Sequence, residues 1–280
     1  MEFFIFAFNL TKEGRAMFNL IKKRKPAPIT TQNYENIDLC IIMPVFFNQK
    51  DTKSLTDSLR VYAGYAPELM RRIQFIIVDD HSPIPISIPE DINLNILLFR
   101  VTDDIQWNQA GARNLGATYA TSQRMILTDC DHMFTEKLLY KIIDSRVPTK
   151  KIFIFKRETM DGKPINSACN IFYISKSTFF STLGYDEEFC GYYGYEDVMF
   201  RYFQKRIGHR LRYFTYKYKI ISTTVDRENS YHDLVRDTDR NEKLMEKKKE
   251  LLLNSCDPFA CHSRLFLNFK YEKVMDRRVQ

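Results

Sequence analysis

The stretch QRMILTDCDHMF (Gln123–Phe134) ends an apolar strand in two aspartates separated by one residue. Side chains alternate along an extended chain, so we expect Asp129 and Asp131 to point to one side and Cys130 to the other. Carboxylate oxygens at the end of a strand suit Mg²⁺ or Mn²⁺, which usually bind through one or two carboxylates and substrate phosphates. A second Asp-x-Asp, Asp237–Asp239, also occurs, so the pattern alone does not indicate a metal site. The residues around Asp129 and Asp131 distinguish the first pair from the second.

Composition indicates a globular protein with room for one large α/β domain. Of the 280 residues, 44% are hydrophobic and 28% are charged. The net charge of +7 fits a nucleic acid, an anionic membrane surface or a phosphorylated small molecule as partner. The basic runs Lys22–Lys25 and Lys243–Lys249 lie near the two ends, where solvated basic faces explain them equally well.

The N-terminal segment and the cysteines bear on where in the cell the protein is expected. MEFFIFAFNL at the N-terminus is shorter than the roughly 20 apolar residues of a membrane span and has no preceding basic segment, so it is a poor signal peptide. The six cysteines form no CxxC pair, which predicts reduced thiols and a cytoplasmic protein. Peripheral membrane contact through the aromatic N-terminus and the IKKRK run is compatible with the sequence.

From Ile37 the chain alternates between strand and helix patterns. We predict a leader at residues 1–36, a domain at 37–225 and a polar helical tail at 226–280. Alternation predicts a mostly parallel sheet with helices on both faces and ligands beyond the carboxyl ends of the strands. Three polar clusters fall at such ends, namely Pro44–Asn48, Asp79–Ser82 and Asp129–His132.

Two of these regions contain candidate binding residues. Asp79 and Asp80 either cap the turn after their strand or accept hydrogen bonds from the base or ribose of a nucleotide. The helical stretch WNQAGARNLGATYA (Trp107–Ala120) carries Arg113 and Asn114 among small residues. Its two glycines each cost about 1 kcal/mol in a helix, so we expect a packing or contact reason for them. Arg113 either pairs with a phosphate, holds the aspartate pair or is solvated.

The second half of the chain offers a candidate base. In GYYGYEDVMFRYFQKRIG (Gly191–Gly208), Glu196 and Asp197 open a helix behind a glycine-containing loop. Either the helix dipole favours them there or one of them accepts the proton of an attacking hydroxyl. His232, in a polar segment, could complete a divalent-metal site, with a surface histidine as the alternative.

The chain order MPVF, VDDHS, WNQAGARNLGA, LTDCDHMF and GYYGYEDVMF, over roughly residues 37–208, resembles the nucleotide-sugar glycosyltransferases of the type-A fold. The similarity is to inverting family 2, with a galactosyltransferase-like Glu-Asp motif. The resemblance implies a Rossmann-like α/β fold, a catalytic domain at 37–225, a nucleotide-binding half at 37–132 and an acceptor-binding half at 133–225.

The resemblance also implies roles for individual residues. Pro44 and Phe46 would line the nucleotide pocket, Asp79 and Asp80 would contact uracil or ribose, and Arg113, beside Asn114, would reach the nucleotide or diphosphate. The metal ligands, for Mn²⁺ or Mg²⁺ against the donor diphosphate, would be Asp129, Asp131 and His232. Glu196 would touch the sugar or acceptor, and Asp197 would be the catalytic base.

The resulting hypothesis is a metal-dependent enzyme that moves a sugar from a UDP-sugar to a hydroxyl of a glycan or other acceptor, with inversion. A sugar-phosphate nucleotidyltransferase would want a glycine-rich phosphate loop after the first strand, and MPVFFNQK contains no glycine. A nucleic-acid or membrane-surface binding protein would use the basic ends. That alternative gives no reason for acidic residues at successive strand ends, so we expect no nucleic-acid partner.

Overall fold

The computed structural model describes residues 36–279. The predicted leader at 1–36 therefore lies outside the described residues, except for Asn36. The strands are β1 Leu39–Val45, β2 Ile73–Asp79, β3 Asn95–Val101, β4 Arg124–Leu127, β5 His132–Phe134, β6 Lys151–Ile154, β7 Arg157–Thr159, β8 Pro164–Ile165, β9 Phe172–Ser175, β10 Arg210–Tyr213, β11 Ile220–Ser222 and β12 Tyr271–Arg277. The α-helices are α1 Lys53–Ala63, α2 Pro67–Met70, α3 Gln109–Tyr119, α4 Glu136–Ile143, α5 Lys176–Phe180, α6 Glu196–Arg206 and α7 Asp239–Asn254.

An eight-stranded sheet forms the centre of the molecule, in the order β10-β6-β9-β4-β1-β2-β3-β12. The block β4-β1-β2-β3 is parallel throughout. Every residue of β1 and β2 is buried, as expected for parallel strands covered on both faces. The core accordingly divides into two large clusters, one on each side of the sheet. The predicted α/β fold with helices flanking a large sheet is confirmed.

A second, four-stranded sheet has the order β5-β11-β7-β8. It begins directly after the aspartate pair, because β5 starts at His132. β4 already ends at Leu127, and Cys130 and Asp131 form a turn between the two strands. The two aspartates are therefore presented by a turn, and not by the alternation of an extended strand that the sequence suggested.

The glycines of α3 have the packing reason that was expected. A Cβ on Gly116 would lie 2.4 Å from Cγ2 of Ile42 in β1, so the helix backbone rests directly on the sheet. A Cβ on Gly111 would lie 2.2 Å from Oδ1 of Asn108 and 2.6 Å from Cε1 of Phe269. This close approach of α3 to the sheet buries Arg113 and Asn114 beneath the strand ends.

The segment from residue 226 is not an all-helical tail. After α7 the chain returns as β12, which pairs antiparallel with β3 at the edge of the main sheet. Without β12 the edge of β3 would present unpaired backbone groups, and covering such an edge is a general requirement of sheet proteins. Among the described residues, none of the helices is long and apolar enough to cross a membrane.

Candidate active site

An open cavity of about 960 Å³ lies beyond the carboxyl ends of the central strands. Its size falls within the range of small-molecule sites. Most of the residues singled out by sequence line it: Pro44, Phe46, Asp80, Asp129, Asp131, Glu196, Asp197 and His232. Three of the residues do not line it: Asp79, Arg113 and Asn114. The cavity therefore collects side chains from strand ends that are far apart in the sequence.

The two neighbouring aspartates after β2 have different environments. The Asp79 carboxylate accepts a hydrogen bond from Nη1 of Arg100 at 2.6 Å and from the backbone N–H of Ser82 at 2.8 Å. These contacts cap the turn and pair β2 with β3, which is the first of the two alternatives that the sequence offered for Asp79; a contact with a nucleotide stays a prediction. Asp80 is buried against the cavity, and its Oδ1 has no hydrogen-bond partner among the described residues.

Burial raises the pKa of Asp80 to about 7, helped by the nearby charge of Asp79 and opposed by the adjacent Asn108. A buried carboxylate oxygen without a partner is costly unless a ligand or a proton satisfies it. The side chain of Asp80 is thus suited to accept hydrogen bonds from a bound nucleoside.

Arg113 is the centre of a buried ionic network under the cavity. Its side chain is 0% exposed, and Nη1 donates to Oδ1 of Asp197 while Nη2 donates to Oδ1 of Asp129 at 3.0 Å. The Tyr185 hydroxyl donates to the same oxygen of Asp197 at 2.6 Å. The guanidinium is therefore engaged by two carboxylates and does not reach the cavity. Of the alternatives from sequence, holding aspartates is the one observed, although the second partner is Asp197 and not Asp131.

The network determines the acidity of the residues around it. Burial raises the pKa of Asp197, with the positive charge of Arg113 opposing the rise. Asp129 behaves similarly, since burial raises its pKa and Arg113 again opposes. Burial and the negative charge of Asp197 both raise the pKa of Glu196, to about 8. The Glu196 side chain is therefore protonated more readily than a free glutamate and, when protonated, can donate a hydrogen bond.

Asn114 is a structural residue. Its Nδ2 donates to the Tyr185 carbonyl at 2.9 Å and to Oε1 of Glu187 at 2.8 Å, and its Oδ1 accepts from the Tyr185 N–H at 2.8 Å. All three contacts fasten the chain between residues 184 and 188 onto α3. The polar atoms of Asn114 are thus satisfied by protein and lie away from the cavity, and its contact with a nucleotide stays a prediction.

Asp129 and Asp131 differ in how their oxygens are used. Asp129 accepts hydrogen bonds from Arg113, from Nε2 of Gln109 at 3.0 Å and from the amide of Asn170. Asp131 lies beside His132, with Oδ1 and Nδ1 2.6 Å apart but without hydrogen-bond geometry. Although burial opposes it, the pKa of Asp131 is lowered, since His132 and the charge of Arg227 favour the carboxylate.

His232 sits in an aromatic wall of the cavity. Its ring is stacked on Tyr231 at 4.3 Å and is edge-on to Trp107 at 5.0 Å. Burial and the charges of Arg236 and Arg227 lower the pKa of His232 to about 4, so the imidazole is neutral. Its Nδ1 is buried and has no hydrogen-bond partner among the described residues.

The residues present fit a divalent cation in chemistry. Asp131 contributes a carboxylate oxygen and His232 a neutral nitrogen, both buried without hydrogen bonds and both on the cavity wall. Oxygen and imidazole ligands suit Mn²⁺ or Mg²⁺. The predicted set of Asp129, Asp131 and His232 is not gathered, however, since no group of three His, Cys, Asp or Glu side chains in residues 36–279 is placed to hold a metal. The oxygens of Asp129 are instead engaged by Arg113, Gln109 and Asn170.

Several residues in or beneath the cavity wall gave no signal in the sequence. Asn170 and Tyr185 contact Asp129 and Asp197 from loops without a recognisable motif. Gln109 lies within the same stretch as Arg113, and its position one helical turn before Arg113 could have indicated a shared partner. The aromatic and basic residues of the wall were also missed: Trp107, Arg157, Tyr193, Arg227, Tyr231 and Arg236.

Comparison with known proteins agrees with this architecture. The model of glycosyl transferase family 2 matches residues 40–158. The structure is similar to that of S. aureus TarS 1–349 in complex with UDP-GlcNAc, with a TM-score of 0.54 and 14% identity over 79% of this chain and 68% of that chain. This chain has the type-A glycosyltransferase fold.

Two further structures share the type-A fold. Mannosyltransferase PcManGT from Pyrobaculum calidifontis, in complex with GDP-Man and Mn²⁺, has a TM-score of 0.51 and 12% identity, covering 88% of this chain and 74% of that one. GalNAc-T7 with UDP, GalNAc and Mn²⁺ has a TM-score of 0.52 and 14% identity, and the match covers 75% of this chain and 48% of that one. No curated protein matches the sequence. The family match and the type-A fold together support a glycosyltransferase.

Proposed function

We propose that this protein transfers a sugar from a UDP-sugar to a hydroxyl group of a glycan or other acceptor, with Asp197 as the general base. The observation that carries the proposal is the meeting of Asp80, Asp131 and Asp197 in one cavity at the carboxyl ends of the strands. One face of this cavity suits a nucleoside and the other suits proton transfer. Residues 37–132 would bind the donor and residues 133–225 the acceptor, with His232 and neighbouring residues closing the cavity.

Asp197 has the properties that a general base requires. Arg113 and Tyr185 both bind Oδ1, which fixes the carboxylate and leaves Oδ2 for the proton of an acceptor hydroxyl. Burial raises the pKa of Asp197, and a base is most effective when its pKa approaches the working pH. Proton removal on the face of the sugar opposite the diphosphate would lead to displacement with inversion.

Glu196 would act on the sugar. Burial and the charge of Asp197 raise the pKa of Glu196 and favour its protonated form, which would donate a hydrogen bond to a sugar or acceptor oxygen. Its neighbour Asp197 lies beside the same cavity and keeps the negative charge close to Arg113. The two adjacent acids thus have separate roles, one as hydrogen-bond donor and one as base.

A divalent cation would be held by Asp131 and His232, with Asp129 nearby. Mn²⁺ or Mg²⁺, when bound, supplies Lewis-acid stabilisation of the diphosphate charge that develops as the sugar leaves. The protein's own part is to present the carboxylate of Asp131 and to keep His232 neutral through burial and neighbouring guanidinium charges.

The test is release of UDP from a panel of UDP-sugars with Mn²⁺, with and without candidate acceptors. We expect turnover that is lost in EDTA and restored by Mn²⁺. Asp197→Asn should lower turnover by about 10²-fold or more while UDP affinity stays within about twofold. Because Asn keeps the shape of Asp, near-normal turnover in this variant would remove Asp197 from the role of base. Failure of every UDP-sugar to yield UDP would contradict the proposed function.

A further inference from the structure

The C-terminal helix α7 carries a buried amide aimed at the loop before the proposed base. Asn241 is 0% exposed. Its Nδ2 lies 3.0 Å from the Phe189 carbonyl oxygen, 2.9 Å from that of Tyr192 and 2.8 Å from that of Gly194. The two N–H groups of one amide therefore serve three carbonyl oxygens of the loop that leads into α6, with one hydrogen shared between two of them.

The loop needs such a donor because of its backbone conformation. Gly191, Gly194 and Tyr195 have φ of 93°, 86° and 68°, all in the left-handed region. Tyr195 is the N-terminal cap of α6, yet it makes no side-chain capping hydrogen bond, and the next two residues are Glu196 and Asp197. Left-handed conformations at non-glycine residues persist only when their surroundings fix them, and buried carbonyls require donors.

Two basic side chains of α7 make further contacts with the segment before α6. Nη1 of Arg240 donates to the Glu188 carbonyl at 2.7 Å and to Oδ1 of Asn241 at 2.8 Å, which orients the amide. The buried Nζ of Lys248 lies 2.7 Å from Asp186 and 2.6 Å from Glu188. The contacts with Glu188 and Asp186 join α7 to the segment between residues 186 and 194, and an apolar cluster that includes Phe189 and Met245 packs at the same interface.

We propose that Asn241 is a positioning residue for the transfer reaction, and that α7 belongs to the catalytic unit. The inference rests on the proposed function. By fixing the carbonyls of residues 189, 192 and 194, Asn241 sets the left-handed turn that determines where Glu196 and Asp197 enter the cavity. Asn241 itself does not line the cavity, so it acts through the loop and not on substrate. This gives the C-terminal segment a function that its charge did not indicate.

The test compares Asn241→Ala with Asn254→Ala, a control at an exposed asparagine of the same helix. We expect Asn241→Ala to lower kcat by about tenfold or more, since small misplacements of catalytic groups are costly. The Kd of UDP should stay within about threefold, because Pro44, Phe46 and Asp80 belong to other elements. Asn254→Ala should match the wild-type protein in both measurements.

A second variant separates positioning from general destabilisation. Asn241→Ser keeps one short donor, so its kcat should fall between those of the wild type and Asn241→Ala under conditions where circular dichroism shows all three folded. If Asn241→Ala does not fold, Arg240→Ala serves instead, with a severalfold loss of kcat expected. Unchanged kcat in the folded variants, or parallel losses of kcat and UDP affinity, would overturn the proposal. An inactive wild-type protein would instead contradict the proposed function.

Discussion

Replacing Arg113 by methionine tests whether the buried network carries the stability of the site. Methionine keeps much of the side-chain length but removes the guanidinium that donates to both Asp129 and Asp197. Both carboxylates would then be left in a buried environment without their counter-charge. Removing one partner of a buried ion pair typically costs about 3–5 kcal/mol, so we expect a loss of that size in the free energy of unfolding at pH 8.

The loss should depend on pH in a definite direction. The pKa values of Asp129 and Asp197 are raised by burial, and Arg113 opposes the rise. When the pKa of a carboxyl group is higher in the folded protein than in the unfolded protein, the folded state favours the protonated form. The free energy of unfolding therefore falls as the pH rises above the pKa that the group has in the unfolded protein. Without Arg113 nothing opposes the effect of burial to the same extent, so the pKa values of both carboxyl groups rise further and the loss of stability at high pH becomes larger. The difference between variant and wild type should therefore be largest at pH 8 and smaller at pH 5.

Urea denaturation followed by circular dichroism at both pH values measures this difference. Arg60→Met is the matched control, since the Arg60 side chain is 47% exposed and lies 3.5 Å from Asp57 and 3.4 Å from Asp91. Such exposed pairs contribute about 0–1 kcal/mol. If Arg113→Met costs no more than Arg60→Met at pH 8, the reasoning about the buried network is refuted.

Three other predictions concern the metal, the nucleoside and the loop. Asp131→Ala and His232→Ala should each abolish the Mn²⁺-dependent part of UDP binding in calorimetry, because a carboxylate oxygen of Asp131 and Nδ1 of His232 are the proposed ligands; retention of that part would refute the assignment. Uridine affinity should increase as pH rises through about 7, the pKa of Asp80, and should become weak and pH-independent in Asp80→Asn; the same pH dependence in the variant would exclude this role. Gly184→Ala should lower stability by about 2 kcal/mol or more in denaturation, because φ is +77° and the added Cβ would lie 2.5 Å from Oδ1 of Asn114. Gly162→Ala, with φ of +83° and no atom within 4 Å, should cost less, and an equal cost would contradict the steric argument.

Local pattern was enough for the central architecture. The buried runs of β1 and β2 and the alternation with α1 and α3 follow from hydrophobic periodicity, which depends only on nearby residues. The same alternation placed polar clusters at the carboxyl ends of the strands, where the cavity is found. The candidate residues Asp80, Asp129 and Asp131 were identified for this reason, and Asp197 was identified at the start of a helix behind a glycine-containing loop.

The partners of those residues were decided by the tertiary structure alone. Adjacent aspartates in one motif separate into a turn cap, Asp79, and a cavity residue, Asp80, because only Asp79 is within reach of Arg100 on the neighbouring strand. Arg113 and Asp197 are 84 residues apart in the chain, and nothing in either motif indicates that they pair.

The final segment shows the same division. Its charge and helical pattern could be recognised, but its attachment through Asn241 to the loop before α6 and its return as β12 could not. Hydrophobic period and strand-end polarity are properties of consecutive residues, so the sequence by itself determined the sheet, its helices and the edge that bears the site. Hydrogen bonds and ion pairs between distant segments depend on how the chain is brought together in space. Only the tertiary structure decided these contacts.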